Sequence, residues 1–128
     1  MGQFFRLENA QLLFEKLTRD LACFETWQND ADKAFNFFLT ADAILDWLYP
    51  GPAGQQQRAD VRNDPLLEVV RELALGTNLL LETKRAGDPP QTVLTVELSG
   101  RAVQKYGRRM SAIDFARRVH AYWKAQFP

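Results

Sequence analysis

The sequence holds one cysteine, one histidine and no net charge, its 16 basic side chains matching 16 acidic ones. Each scarcity removes a class of protein. Cys23 alone forms no disulfide within the chain, which excludes a disulfide-stapled secreted scaffold. His120 has no second histidine to join it, and no His/Cys cluster stands at the spacing of a zinc site. No segment approaches the roughly 20 apolar residues of a membrane helix. The opening stretch MGQFFRLENAQ lacks the apolar run of a signal peptide, and Arg6 stands where an acylation signal beginning at Gly2 needs Ser or Thr. The chain is therefore expected to be soluble and cytoplasmic, with no membrane partner. Walker-type loops and nucleophile elbows are also missing, and Gly76, Gly87, Gly100 and Gly107 stand as isolated turn or packing residues.

What is present is the material of a core. Of 128 residues, 46% are hydrophobic, and nine Phe, three Trp and three Tyr supply bulk, so a disordered chain is excluded and one domain spanning residues 1–128 is expected. The three Trp are assigned to that core, and Cys23, in an apolar helical pattern, is read as a small buried hydrophobe.

Helical periodicity dominates. Ala10, Leu13, Leu17, Leu21, Phe24 and Trp27 recur at three- and four-residue steps, predicting a first helix over about 7–28. Asn29 and Asp30 offer an N-cap for a second helix over about 31–49, which ends at PGPAG. The polar QQQRADVRN that follows reads as an exposed, mobile loop. Asp64-Pro65 starts a third helix, expected to run to about Glu82 through a glycine at 76 that weakens it by about 1 kcal/mol relative to alanine. After the turn at 86–90, Leu94, Val96 and Leu98 alternate with Thr95 and Glu97 as in a strand. Ser99-Gly100 is expected to fold this segment into a hairpin with Val96 opposite Val103. SAID at 111–114 caps a last helix reaching about Phe127. The fold class expected is mainly α: a four-helix bundle-like domain with a small β-hairpin before the last helix.

The densest segment is NFFLTADAILDW, residues 36–47. Ala34, Phe37, Phe38, Ala41, Ile44, Leu45 and Leu48 share one face, but Phe35, Leu39 and Trp47 are interleaved with the polar residues opposite. A helix central to the fold, touching neighbours on more than one side, is expected. Asn36, Thr40 and Asp46 are read as structural polar residues that find partners inside the fold. An enzyme site built on Asn36, Asp42 and Asp46 would need further acidic or histidine ligands for a metal, which the sequence does not supply.

This same segment resembles a family of small, uncharacterised, mostly helical bacterial and phage proteins, in which an Asn-Phe-Phe-x-Thr-Ala run leads to Asp-Trp. Asn36, Phe37, Phe38, Thr40, Ala41, Asp46 and Trp47 match that pattern. Arg71, Ala74 and Gly76 match its third-helix segment, and Tyr122-Trp123 its terminal helix. Asp42, Ala43 and Leu45 stand where the pattern carries Trp and His. The resemblance implies the helical fold and assigns no chemistry.

Charge is unevenly distributed along the chain. Residues 1–64 carry six basic and ten acidic side chains, residues 65–128 ten and six, and after Ser99 seven cations face Asp114 alone. Arg101, Lys105, Arg108, Arg109, Arg117, Arg118, His120 and Lys124 are expected to form one basic, partner-binding surface. The helical outline also resembles compact ribonucleases of prokaryotic defence and toxin systems, which carry an Arg shortly before a His. The positions five to seven before His120 are Phe115, Asp114 and Ile113, so that pair is absent. The sequence thus points to a non-catalytic protein-interaction module, acting on a protein partner or on itself, with no cofactor. A nucleic-acid-binding or degenerate ribonuclease-like module using the basic C-terminal surface is the alternative.

Overall fold

The structure, a computed structural model, describes residues 2–84 and 91–127, with side chains for 9–82 and 91–127. Its elements are α1 (Gly2–Thr26), α2 (Ala31–Leu48), a 3₁₀ turn (Pro52–Gly54), α3 (Gln55–Arg62), α4 (Pro65–Ala74), β1 (Leu79–Lys84), β2 (Gln91–Glu97), α5 (Arg101–Tyr106), β3 (Arg109–Ser111) and α6 (Ala112–Gln126). The fold is mainly helical, with a small antiparallel sheet placed before the last helix.

Helices α2, α4 and α6 each start where the sequence supplies a cap. Asp30 accepts from the backbone N–H of Asp32 at 2.9 Å and of Lys33 at 3.2 Å, so α2 begins one turn after α1 ends and the two form an αα-hairpin. Asp64 accepts from Leu66 N at 2.8 Å ahead of Pro65, and Ser111 accepts from Asp114 N at 3.3 Å. The central helix is α2, which packs on α1, α4 and α6. Its Phe37, Phe38, Ala41, Ile44 and Leu45 join Leu17, Phe24, Val69, Val70, Phe115, Val119 and Trp123 in the core. Phe38 lies edge-on to Phe37 with centroids 5.3 Å apart and tilts over Phe115 at 5.9 Å, arrangements that suit the quadrupoles of the rings.

Three expectations need correction. The segment after PGPAG is the helix α3 and not a loop; most of its residues are exposed, as expected, but Arg58, Val61 and Arg62 are half-buried, and with no apolar period it left no helical pattern to read. It is secured by Arg58, which donates to Gly51 O at 2.8 Å and to Tyr49 O. A Cβ at Gly54 would run into the Tyr49 carbonyl, so this close turn requires glycine.

The third helix stops at Ala74, not Glu82. Gly76, at φ +87°, donates to Leu73 O, and Thr77 N donates to Glu72 O, the two bonds of a Schellman C-cap. The glycine ends the helix rather than weakening its middle. Leu79, Leu80 and Leu81, good helix formers, instead pair as β1 with β2, Leu79 opposite Val96 and Leu81 opposite Leu94.

The Ser99-Gly100 hairpin is likewise absent. Gly100 (φ +56°) and Gly107 (φ +87°) bracket α5, and the strand returns as β3, which puts Met110 rather than Val103 opposite Val96. The sheet order is β1-β2-β3, with all neighbours antiparallel. Leu94, Val96 and Leu98 point inward as the alternation predicts, and Thr95 is buried as well. The turn expected at 86–90 lies outside the described residues.

Candidate interaction face and its arginine cleft

Asp42 and Asp46, one turn apart on α2, face α3 and α4. Asp42 is only 9% exposed, and its two oxygens are taken separately: Arg62 Nη2 lies 3.3 Å from Oδ1 and Arg71 Nη1 2.8 Å from Oδ2. Asp46 is exposed and looser, with Arg62 at 3.7 Å and Arg58 at 3.8 Å. Two carboxylates thus meet three guanidinium groups, leaving one surplus positive charge. A cleft of about 440 Å³ opens between Asp46, Gln55, Arg58, Ala59, Arg62 and Arg71. Arg62 Nε is buried there without a hydrogen-bond partner.

With both carboxylates occupied by arginine, they serve as ion-pair acceptors. Among the described residues, no group of three or more His, Cys, Asp or Glu side chains is placed to hold a metal. Asn36 departs from its expected place, because its side chain is exposed on the outer side of α2. Thr40 is buried as expected. Its hydroxyl proton is shared between Asp20 Oδ2 at 2.9 Å and Asn36 O at 3.0 Å, while its oxygen accepts from Lys16 Nζ at 3.0 Å. Thr40 therefore ties α2 to α1, and Asp42 ties it to α3 and α4.

The fourth side of α2 is uncovered. Phe35, Leu39 and Trp47 are 37%, 42% and 45% exposed, with half-buried Ala43 between the last two, so one apolar stripe runs at four-residue steps along the central helix. These residues were expected against neighbours, and among the described residues they stay more than a third exposed. Trp27 is exposed too, so only Trp123 of the three tryptophans is core, and Cys23 is exposed on α1.

Three of the C-terminal cations are paired with acids of other elements. Arg101 pairs with Glu68 of α4 at 2.5 Å, Arg109 with Glu82 of β1 at 3.1 Å, and Arg117 with Glu25 of α1 at 3.0 Å. Arg118 turns the other way, its guanidinium 5.3 Å from the Tyr106 ring, which Lys105 also approaches at 5.3 Å. Consecutive helix positions diverge by about 100°, so Arg117 and Arg118 point different ways. Arg108 and Lys124 are exposed and make no ion pair among the described residues.

His120 sits at the edge of the core, Nε2 2.9 Å from Thr18 Oγ1 and its ring stacked on Phe14 at 5.2 Å. Burial, and then the charge of Lys124, hold its pKa below the usual 6.5 against an opposing pull from Glu25. The folded state therefore favours neutral His120, and its contribution to stability is present above the unfolded-state pKa and lost as pH falls below about 6.5. Between about pH 7 and pH 5, wild type should lose more thermal stability than a His120→Gln variant. Equal losses in the two proteins would contradict this.

Sequence reasoning missed the arginines of the cleft. Arg58 and Arg62 lie in the segment taken for a loop, yet their four-residue spacing repeats that of Asp42 and Asp46 and was the available signal. Comparison of the chain with protein-family models, with curated proteins and with solved structures finds no match.

Proposed function

We propose that this protein is a non-catalytic interaction module that binds a protein through the outward face of α2. The observation that carries this reading is the stripe of Phe35, Leu39 and Trp47 left uncovered on a helix whose other sides are packed. Scattered apolar residues are normal on a surface, but an aligned row on one rigid element is what a partner needs. The setting fits interface anatomy, with an aromatic and aliphatic centre on the helix whose Asp42 and Asp46 hold the cleft arginines. The packed core and the Thr40 and Asp42 ties hold α2 rigid, so its face is pre-organised for docking.

The resemblance to small helical bacterial and phage proteins adds no chemistry to this reading. The nucleic-acid alternative needs several free cations on one face, and the pairing of Arg101, Arg109 and Arg117 with glutamates gives it less support.

The test is site-specific photo-crosslinking in the native cell, with the reactive residue at position 39 and a control at position 118. A discrete protein adduct from position 39, absent from 118, is the expected result. Adducts from 118 but not 39, or nucleic acid in place of protein, would overturn the reading.

A further inference from the structure

The residues on the outward side of α2 are arranged about a centre. An antiparallel pair of identical helices related by a twofold axis brings residue i of one copy opposite residue j of the other, with i + j constant along the contact. Taking Ala41 as the midpoint sets Phe35 opposite Trp47, Asn36 opposite Asp46 and Leu39 opposite Ala43. All six are exposed or half-buried on α2. Aromatic meets aromatic, an amide donor meets a carboxylate, and a large aliphatic side chain meets a small one that lets the helices approach.

The ends of the helix agree with this register. Asp32 is exposed in the first turn of α2, and the same rule sets it opposite position 50 of the other copy. Arg58 lies at that place, its guanidinium donating to the carbonyls of Tyr49 and Gly51. An acidic N-terminal end thus meets an arginine-bearing C-terminal end, twice by symmetry, and the antiparallel macrodipoles favour the same arrangement. A parallel pairing would set Asp32 on Asp32 and Arg58 on Arg58.

We infer that the occupant of this face is a second copy of the chain, docked as an antiparallel α2–α2 pair whose twofold axis lies at the level of Ala41, the Ala41 side chain itself facing the core. The inference rests on α2 being a docking surface and adds the partner and the register. A single helix-to-helix contact is small by the standard of stable complexes, so the dimer is reversible, with a dissociation constant expected in the micromolar range or weaker.

The experiment uses the full chain with Cys23→Ser, in sedimentation equilibrium and in oxidative cross-linking. Concentration-dependent dimers, lost in Leu39→Asp with thermal unfolding unchanged, are expected. Phe35→Cys and Trp47→Cys proteins, mixed and oxidised, should give the mixed disulfide. Neither should link to itself, because like positions lie about 18 Å apart along the axis and a disulfide needs Cα atoms within about 7 Å. Self-linked Phe35→Cys dimers would overturn the register. A monomer at every concentration would overturn the second copy as occupant. In that case, a different protein captured at position 39 in the cell leaves the docking face standing, and no adduct there removes both.

Discussion

Trp123→Ala is expected to destabilise the protein by about 3–5 kcal/mol, while Trp47→Ala, at a half-covered site, costs about 1–2 kcal/mol. Trp123 is 1% exposed and lies edge-on to Tyr122 within the face that α6 turns to the core. Truncating it removes a large apolar surface and leaves a cavity that the packed helices cannot close. Its buried Nε1 has no hydrogen-bond partner, so no bond is lost along with the packing. Trp47 is 45% exposed on the outer side of α2, and its loss opens no cavity. Urea denaturation of both variants measures the contrast. A loss at Trp47 as large as that at Trp123 would make Trp47 part of the fold and remove the reason for an interaction face.

The second large effect belongs to Asp42. Asp42→Ala should cost about 2–3 kcal/mol and Asp46→Ala less than about 1 kcal/mol. Asp42 is buried, and its removal takes the acceptor from Arg71 and leaves Arg62 only the looser contact to Asp46 at 3.7 Å in the wall that joins α2 to α3 and α4. The expected value lies below the 3–5 kcal/mol of a fully buried pair because Arg71 is about half exposed and can rehydrate. Asp46 is exposed and holds its arginines only at 3.7 and 3.8 Å. A double-mutant cycle with Arg71→Ala checks the assignment, since the two losses should be less than additive if the residues act as a pair. Equal effects at Asp42 and Asp46 would show that burial does not separate them.

The sequence disclosed the fold most clearly where one local signal acted alone. The caps at Asp30, Asp64 and Ser111 and the apolar faces of α1, α2 and α6 were legible because helix period and capping chemistry agree there. Competing signals defeated the reading elsewhere. Leu79–Leu81 carry helical propensity, yet the Gly76 cap and the ladder with β2 decide their conformation. The polar α3 has no apolar stripe, because its ties run through Arg58 and Arg62 to α2 and its terminal carbonyls.

The exposed apolar stripe of α2 was half legible. Phe35, Leu39 and Trp47 stood out as apolar residues among polar ones, but a sequence does not say whether a neighbouring element covers them. The ion pairs of the C-terminal cations were not legible: charge along a chain is one-dimensional, whereas Glu25, Glu68 and Glu82 reach Arg117, Arg101 and Arg109 only through the fold.

The most direct measurement of whether α2 is left open by its own chain and closed by another copy is acrylamide quenching of tryptophan fluorescence in a Trp27→Phe protein across a dilution series. Trp123 is buried and serves as the unquenched reference. Trp47 should be readily quenched in dilute protein and become protected as concentration rises, and Leu39→Asp should keep it open throughout. Trp47 shielded even in dilute Leu39→Asp protein, or equally open at every concentration in the wild-type background, would contradict it.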